Sequence, residues 1–215
     1  HTNVRARFAR CETQFGCIQR PVTRNDSREQ AMFEVCNHRY TDLSEPSRGI
    51  SILNDCKYGI STEGGTLALT LAKGGTRPDP RGDAGTYTFR YGILPHAGGF
   101  SAAVARAGMR FDRTPLSLPG TLALPAFLWT DRPNIVVETV KPCEDSGHAV
   151  IARLYECEGT RTRAFLHTGF ETTRAEICDM MERPLFPIQP GDDLNFGPFE
   201  IKTIKLYYDT GEVTK

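Results

Sequence analysis

The stretch Arg77-Pro78-Asp79-Pro80-Arg81-Gly82-Asp83-Ala84-Gly85 sets one guanidinium between two carboxylates. A guanidinium is a rigid fork of donors, suited to hydroxyl-rich or carboxylate ligands. Two neighbouring carboxylates are what glycoside hydrolysis uses, one as acid or base and one as nucleophile. The prolines and glycines make this stretch a loop. In such a loop Asp79 and Asp83 can equally cap backbone amides while Arg81 neutralises them. A second group, Asn54-Asp55-Cys56-Lys57-Tyr58-Gly59, combines an amide, an acid, a base and a phenol at a strand end, where functional residues often sit. The plain alternative there is a hairpin turn with an exposed lysine.

Other chemistries find no support. His38, His96, His148 and His167 show no HxH or HExxH spacing, and the seven cysteines form no CxxC pair, so no metal site is predicted. GxSxG, P-loop and GxGxxG motifs are absent, which removes the hydrolase-elbow and nucleotide readings. Lys plus Arg and Asp plus Glu are both 26 of 215 residues. That balance argues against a nucleic-acid partner, which needs a basic surplus. No stretch approaches the roughly 18 uninterrupted apolar residues of a membrane span. An odd cysteine count, widely spread, fits free thiols in a reducing compartment and predicts a cytoplasmic location. The chain opens at His1 with no charged-then-apolar leader, and is read as a piece of a longer protein.

The elements that must position these residues read as β. Phe33–Cys36, Gly49–Asn54 and Thr66–Leu71 are predicted strands, the last with Leu67, Leu69 and Leu71 on one face. Glu63-Gly64-Gly65 reads as a hairpin turn. Thr86–Leu94 is predicted as a strand ended by Pro95, which cannot donate to a ladder. Ser101–Met109 is the one predicted helix, with Ser101 as N-cap and Gly108 at its weak end. Further strands are predicted at Ile135–Val140, Ala149–Glu156, Thr162–His167, Arg174–Asp179 and Phe199–Leu206. Trp129, the single tryptophan, is expected to be buried. The Pro/Gly cluster at 115–120 divides the chain into domains at 1–118 and 119–215, an all-β fold of two layered parts.

The segments Phe33–Glu45 and Gly49–Gly59 resemble the C-terminal region of family 38 α-mannosidases, in the cytosolic and bacterial branch. The Pro78-Asp79 loop, Asp83-Ala84-Gly85 and Phe89–His96 follow in order, and Asn134–Val137, Lys141, Arg153–Glu156 and Phe199–Leu206 match the closing part. Gln14-Phe15-Gly16 and Arg20–Thr23 fit upstream. The resemblance implies part of a large mutarotase-like β-supersandwich followed by a small β-sandwich. It implies a retaining parent enzyme that removes terminal α-D-mannose from oligosaccharides. The zinc and the catalytic residues of that parent belong to an N-terminal catalytic domain without counterpart here, so no catalytic residue, metal ligand or cofactor is assigned to this chain. Arg81, with Asp79 or Asp83, is expected to touch the sugar or brace the pocket, and Asn54 and Asp55 to support the same end of the sheet. The implied partners are the N-terminal domain of the same polypeptide, a mannose-containing oligosaccharide and further copies of the parent. A free-standing carbohydrate-binding or oligomerisation sandwich is the alternative.

Overall fold

A computed structural model describes residues 1–113, 115–121 and 125–209. The fold is mostly antiparallel β, in two compact units at 1–116 and 117–215.

In the first unit, β1 (Phe8–Thr13), β2 (Gly16–Pro21), β4 (Tyr40–Glu45), β5 (Arg48–Asn54) and β8 (Tyr91–Ala97) form a sheet in the order β2-β1-β4-β5-β8. A second sheet joins β3 (Val35–Cys36), β6 (Gly59–Glu63) and β7 (Thr66–Leu69). The β6–β7 turn has Gly64 and Gly65 at φ 52° and 86°, the left-handed pair a two-residue hairpin loop requires. Leu67 of β7 and Ile50 of β5 pack against a core of Val4, Ala9, Val22 and Leu43.

The other face of the larger sheet carries helix α2 (Ala102–Asp112), which buries Ala102, Val104, Ala105 and Gly108. The helix runs on past Gly108 to Asp112. A Cβ there would stand 3.0 Å from Tyr40 Cδ1, so glycine lets the helix lie close against β4. This face also buries polar side chains, all of them partnered. Asp42 Oδ1 accepts from Ser51 Oγ at 2.7 Å, and Oδ2 from Ser44 Oγ at 2.7 Å. Glu12 takes Nε, Nη2 and the backbone N–H of Arg39 at 2.7–3.1 Å.

The strand predicted over 86–94 instead runs from Tyr91 to Ala97, straight through Pro95. Gly98 N donates to Ser47 O and Asp55 N to Arg90 O. With the register Ile50–Pro95, the antiparallel alternation places Pro95 in a non-hydrogen-bonded pair. Its donor-free nitrogen then faces the sheet edge, where proline is tolerated. The same edge strand leaves Tyr91 and Ile93 exposed at 58% and 67%. A five-residue helix not expected from the sequence, α1 (Ser27–Ala31), is capped by Asp26, whose Oδ1 accepts from Glu29 N at 2.7 Å.

The second unit is a sandwich. One layer orders β10 (Ile135–Pro142), β11 (Ala149–Glu156), β16 (Ile201–Tyr208), β13 (Thr172–Cys178) and β14 (Pro184–Ile188). The other orders β15 (Asp193–Phe196), β12 (Thr162–Thr168) and β9 (Leu128–Thr130). Ala152, Leu154, Ile177 and Ile204 of the first meet Ala164, Leu166, Leu194 and Phe196 of the second. Fully burying a Leu, Ile or Phe side chain contributes about 1.5–3 kcal/mol. Phe199, predicted inside the last strand, instead has φ 55° in the preceding turn. Glu156, fully buried, gathers the adjoining loops. Its carboxylate accepts from the N–H groups of Glu158, Gly159, Thr160 and Phe199 and from Asn134 Nδ2, at 2.7–3.2 Å.

Candidate functional site

The two polar segments singled out by the sequence meet in the first unit. Asn54 ends β5 and is buried. Its N–H donates to Arg39 O at 3.0 Å and its Nδ2 to His38 O at 2.5 Å, while Oδ1 accepts from Lys57 N at 2.7 Å. Every polar atom of that amide therefore holds the backbone, and Asn54 shapes the turn without reaching out of it. Asp55 is committed to Arg90: Oδ1 accepts from its backbone N–H and Oδ2 from its Nε, both at 3.0 Å. The Arg90 N–H, together with the guanidinium, holds the Asp55 carboxyl below the usual carboxylate range. Arg90 Nη2 in turn donates to Phe111 O at 3.0 Å, tying the loop's return to the end of α2.

Between these anchors the chain from 70 to 90 makes an exposed loop folded on itself. Asp79 Oδ1 accepts from Arg81 N at 2.9 Å, and Gly82 N and Ala84 N donate to Asp79 O and Arg81 O. Gly82 has φ 51°, and a Cβ there would collide with Gly75 O, so only glycine allows the two limbs to approach. Tyr87 Oη donates to Asp83 O at 3.0 Å.

One groove draws on both segments, lined by Glu34, Lys57, Thr70, Lys73, Asp83 and Tyr87 among others. Lys57 Nζ stands 4.6 Å from the Phe89 ring centroid and 5.8 Å from that of Tyr87, within cation–π reach. Glu34 forms the opposite rim. Lys73 Nζ donates to Oε2 at 2.6 Å and Thr70 Oγ1 to Oε1 at 2.5 Å, and Lys73 first and Thr70 second hold its carboxyl low. The groove thus offers an ammonium, a phenol and carboxylates at a rigid sheet end, a set able to hydrogen-bond a polyhydroxylated ligand.

Of the sequence candidates, Asp83 lines the groove. Asp79 and Arg81 lie on the exposed outer turn of the same loop, and Asn54 and Asp55 sit beneath it. Tyr87, Phe89, Glu34 and Lys73 were not singled out. The aromatic–basic interleaving around Lys57 was the only signal for Lys73, Tyr87 and Phe89, and Glu34 had none. Among the described residues no three His, Cys, Asp or Glu side chains converge to hold a metal ion, so this donor set does not fit zinc. In the second unit, Trp129 is 43% exposed, contrary to the expectation of burial. It lies on a three-residue strand between Leu128 and Thr130, which share the inward face.

Residues 1–81 match the family described as glycosyl hydrolases family 38 C-terminal domain. Residues 134–204 match glycosyl hydrolases family 38 C-terminal beta sandwich domain. The chain is 38% identical to alpha-mannosidase 2C1 of Homo sapiens, over 94% of this chain and 21% of that protein. It is 32% identical to the alpha-mannosidase of Saccharomyces cerevisiae, over 96% of this chain and 22% of that protein. It therefore spans about a fifth of the length of these relatives. The crystal structure of an alpha-mannosidase from Enterococcus faecalis V583 superimposes with a TM-score of 0.74 at 20% identity, covering 95% of this chain and 24% of that one, and shares its fold.

Proposed function

Since this chain belongs to glycosyl hydrolase family 38 as its C-terminal region, we propose that it is the non-catalytic part of a retaining, zinc-dependent, cytoplasmic α-mannosidase. Its first unit supports and partly lines the active site of a catalytic domain earlier in the same polypeptide. The substrate is a terminal α-D-mannose of an oligosaccharide. The observation that carries this reading is that both units, in order, match C-terminal domains of one hydrolase family.

The groove supplies the physical means. Lys57 is steered by two ring faces, and its turn is fixed by the buried Asn54. Asp83 is presented by a loop whose limbs are locked at Gly75 and Gly82 and whose base is clamped by Asp55 and Arg90. Groups held in this way can meet sugar hydroxyls without first losing much side-chain freedom. Arg81 lies on the exposed outer turn of the same loop, and its bracing of the pocket edge is part of this proposal. The exposed Tyr91 and Ile93 suit contact with the rest of the polypeptide.

The test is turnover of an aryl α-mannoside by the 215-residue chain and by the full-length parent, each with added zinc. The parent is expected to be active and the chain alone inactive. In the parent, Lys57→Ala and Asp83→Ala are expected to lower kcat/KM about tenfold or more, equal to about 1.4 kcal/mol or more of transition-state stabilisation. Turnover by the chain alone, or full activity in both variants, would refute the proposal.

A further inference from the structure

The outer face of the three-stranded sheet in the second unit carries an aromatic platform that the proposed active-site role does not use. Ala164, Leu166, Leu194, Phe196 and Leu128 point into the core. The alternation of strands therefore sends Trp129, Phe165, His167, Arg163 and Asn195 outward. The register sets Trp129 opposite His167 and Arg163 opposite Asn195. Trp129 and His167 stack with centroids 5.4 Å apart and planes 20° from parallel. Phe165, 39% exposed, continues the apolar surface along β12. Arg163 pairs with Asp193 beside it, and the exposed Asn195 amide has no side-chain hydrogen bond among the described residues. From 163 to 167 the platform is about 13 Å long at ~3.3 Å per residue.

We propose that this face is an accessory carbohydrate site, on which Phe165 and the ring faces left open by the Trp129–His167 stack receive the C–H faces of the pyranose rings of a short oligosaccharide while Arg163 and Asn195 hydrogen-bond its hydroxyls. Three features select this occupant. A pyranose has one face of C–H groups and a rim of hydroxyls, and the platform has flat apolar rings bordered by a planar guanidinium and an amide. The rings lie on the surface of a rigid sheet, so few rotamers are lost on binding. The polar groups stand beside the rings, where a sugar's equatorial hydroxyls emerge, and not around a closed apolar pocket. The choice of an α-mannoside as ligand rests on the function proposed above; the platform does not. The site would hold a second stretch of the oligosaccharide, or the same chain's neighbouring branch, apart from the bond that is cut.

Trp129 is the only tryptophan, so its fluorescence reports directly on the platform. Titrating the 215-residue chain with α-mannobiose or a linear α-mannotriose is expected to shift Trp129 emission saturably, with a millimolar Kd. The chain is also expected to be retarded in a native gel containing soluble mannan. Phe165→Ala and Asn195→Ala keep the reporter and are expected to weaken both effects at least threefold. Trp129→Ala is expected to abolish retardation with an unchanged circular dichroism spectrum. Emission that does not move at tens of millimolar sugar, or retardation equal in all variants, would overturn the inference. So would a shift that survives both platform variants. In the active parent, Trp129→Ala is expected to raise KM several-fold for mannan and leave an aryl α-mannoside unaffected. Equal kinetics on both substrates would overturn the accessory site and leave the active-site role standing. Sugar binding by the platform in a parent without mannosidase activity would do the reverse.

Discussion

His96 Nε2 lies 2.7 Å from Asp42 Oδ1, although the two residues sit on strands separated by β5. The imidazole reaches across the intervening strand because residue 49 is glycine: a Cβ there would stand 2.3 Å from His96 Cε1. The buried Asp42 carboxylate thereby gains a third partner besides Ser44 and Ser51, and edge strand β8 is fastened to the middle of its sheet.

Gly49→Ala should therefore destabilise the first unit by about 1–3 kcal/mol, the usual cost of overpacking a tight site. Denaturant unfolding measures it. Gly49→Ala combined with His96→Ala should recover part of the loss, because the second change removes the imidazole that the methyl meets while Ser44 Cβ at 2.6 Å remains.

Glu156→Gln should destabilise the second unit by about 2–3 kcal/mol, since hydrogen bonds to a charged acceptor are the stronger kind and the loop N–H groups would face an amide. Burial alone would raise the Glu156 pKa. The N–H groups of Glu158, Phe199 and Thr160 and the Asn134 amide outweigh it and hold the carboxyl below its ordinary range. Folding is then favoured by this group above the unfolded-state pKa, near 4.3–4.5, and that contribution is lost as pH falls through the lower folded value. Chemical unfolding of wild type and variant at pH 7 and pH 3 should show the difference between them shrinking at the lower pH.

Asp55→Ala should loosen the loop and spare the fold. The Asp55–Arg90 pair is half exposed on the arginine side, and such pairs contribute under about 1 kcal/mol. Limited proteolysis should cleave between 70 and 90 several-fold faster, while Tm moves by no more than a few degrees.

The thiols should separate by environment. Cys36 and Cys56 are exposed, whereas Cys11, Cys143, Cys157 and Cys178 are buried. Burial pushes Cys11 up to about 11, and a hydrogen bond to the Asp55 carboxylate raises Cys56. An aromatic disulfide reagent at neutral pH should label Cys36 first and Cys56 more slowly, and the four buried thiols only after unfolding. Asp55→Ala should speed labelling of Cys56.

The β character of the chain was legible where strands have one clear buried face. Ala149–Glu156 was read with its observed limits, and the Gly64-Gly65 turn was named from its residues. Others escaped: β1, β2, β4 and β6 mix polar and small residues into the buried positions and show no apolar run. β14 reads Pro-Leu-Phe-Pro-Ile and is largely exposed, and β9 has three residues. α1 was marked only by Asp26 and Glu29 at capping spacing. Pro95 misled because its pairing side depends on register, which a single strand does not reveal. In the candidate site, the loop and the turn were recognised separately. That Lys57 would lie against Tyr87 and Phe89 depends on the fold-back at Gly82, a long-range fact with no local signature. Trp129 was misjudged because the width of a sheet, which decides whether an outward ring is covered, cannot be counted from its own strand.

Proline at position 95 also dictates what could zip onto the free side of β8. An incoming strand would find amide donors at 91, 93 and 97, with a gap at 95. A continuous ladder along that border is thus interrupted partway, and any added chain must either stop beside Ile93 or bow outward to pass the gap. Whatever segment pairs along this border therefore finds its hydrogen bonds on the Tyr91–Ile93 half and loses one donor at Pro95.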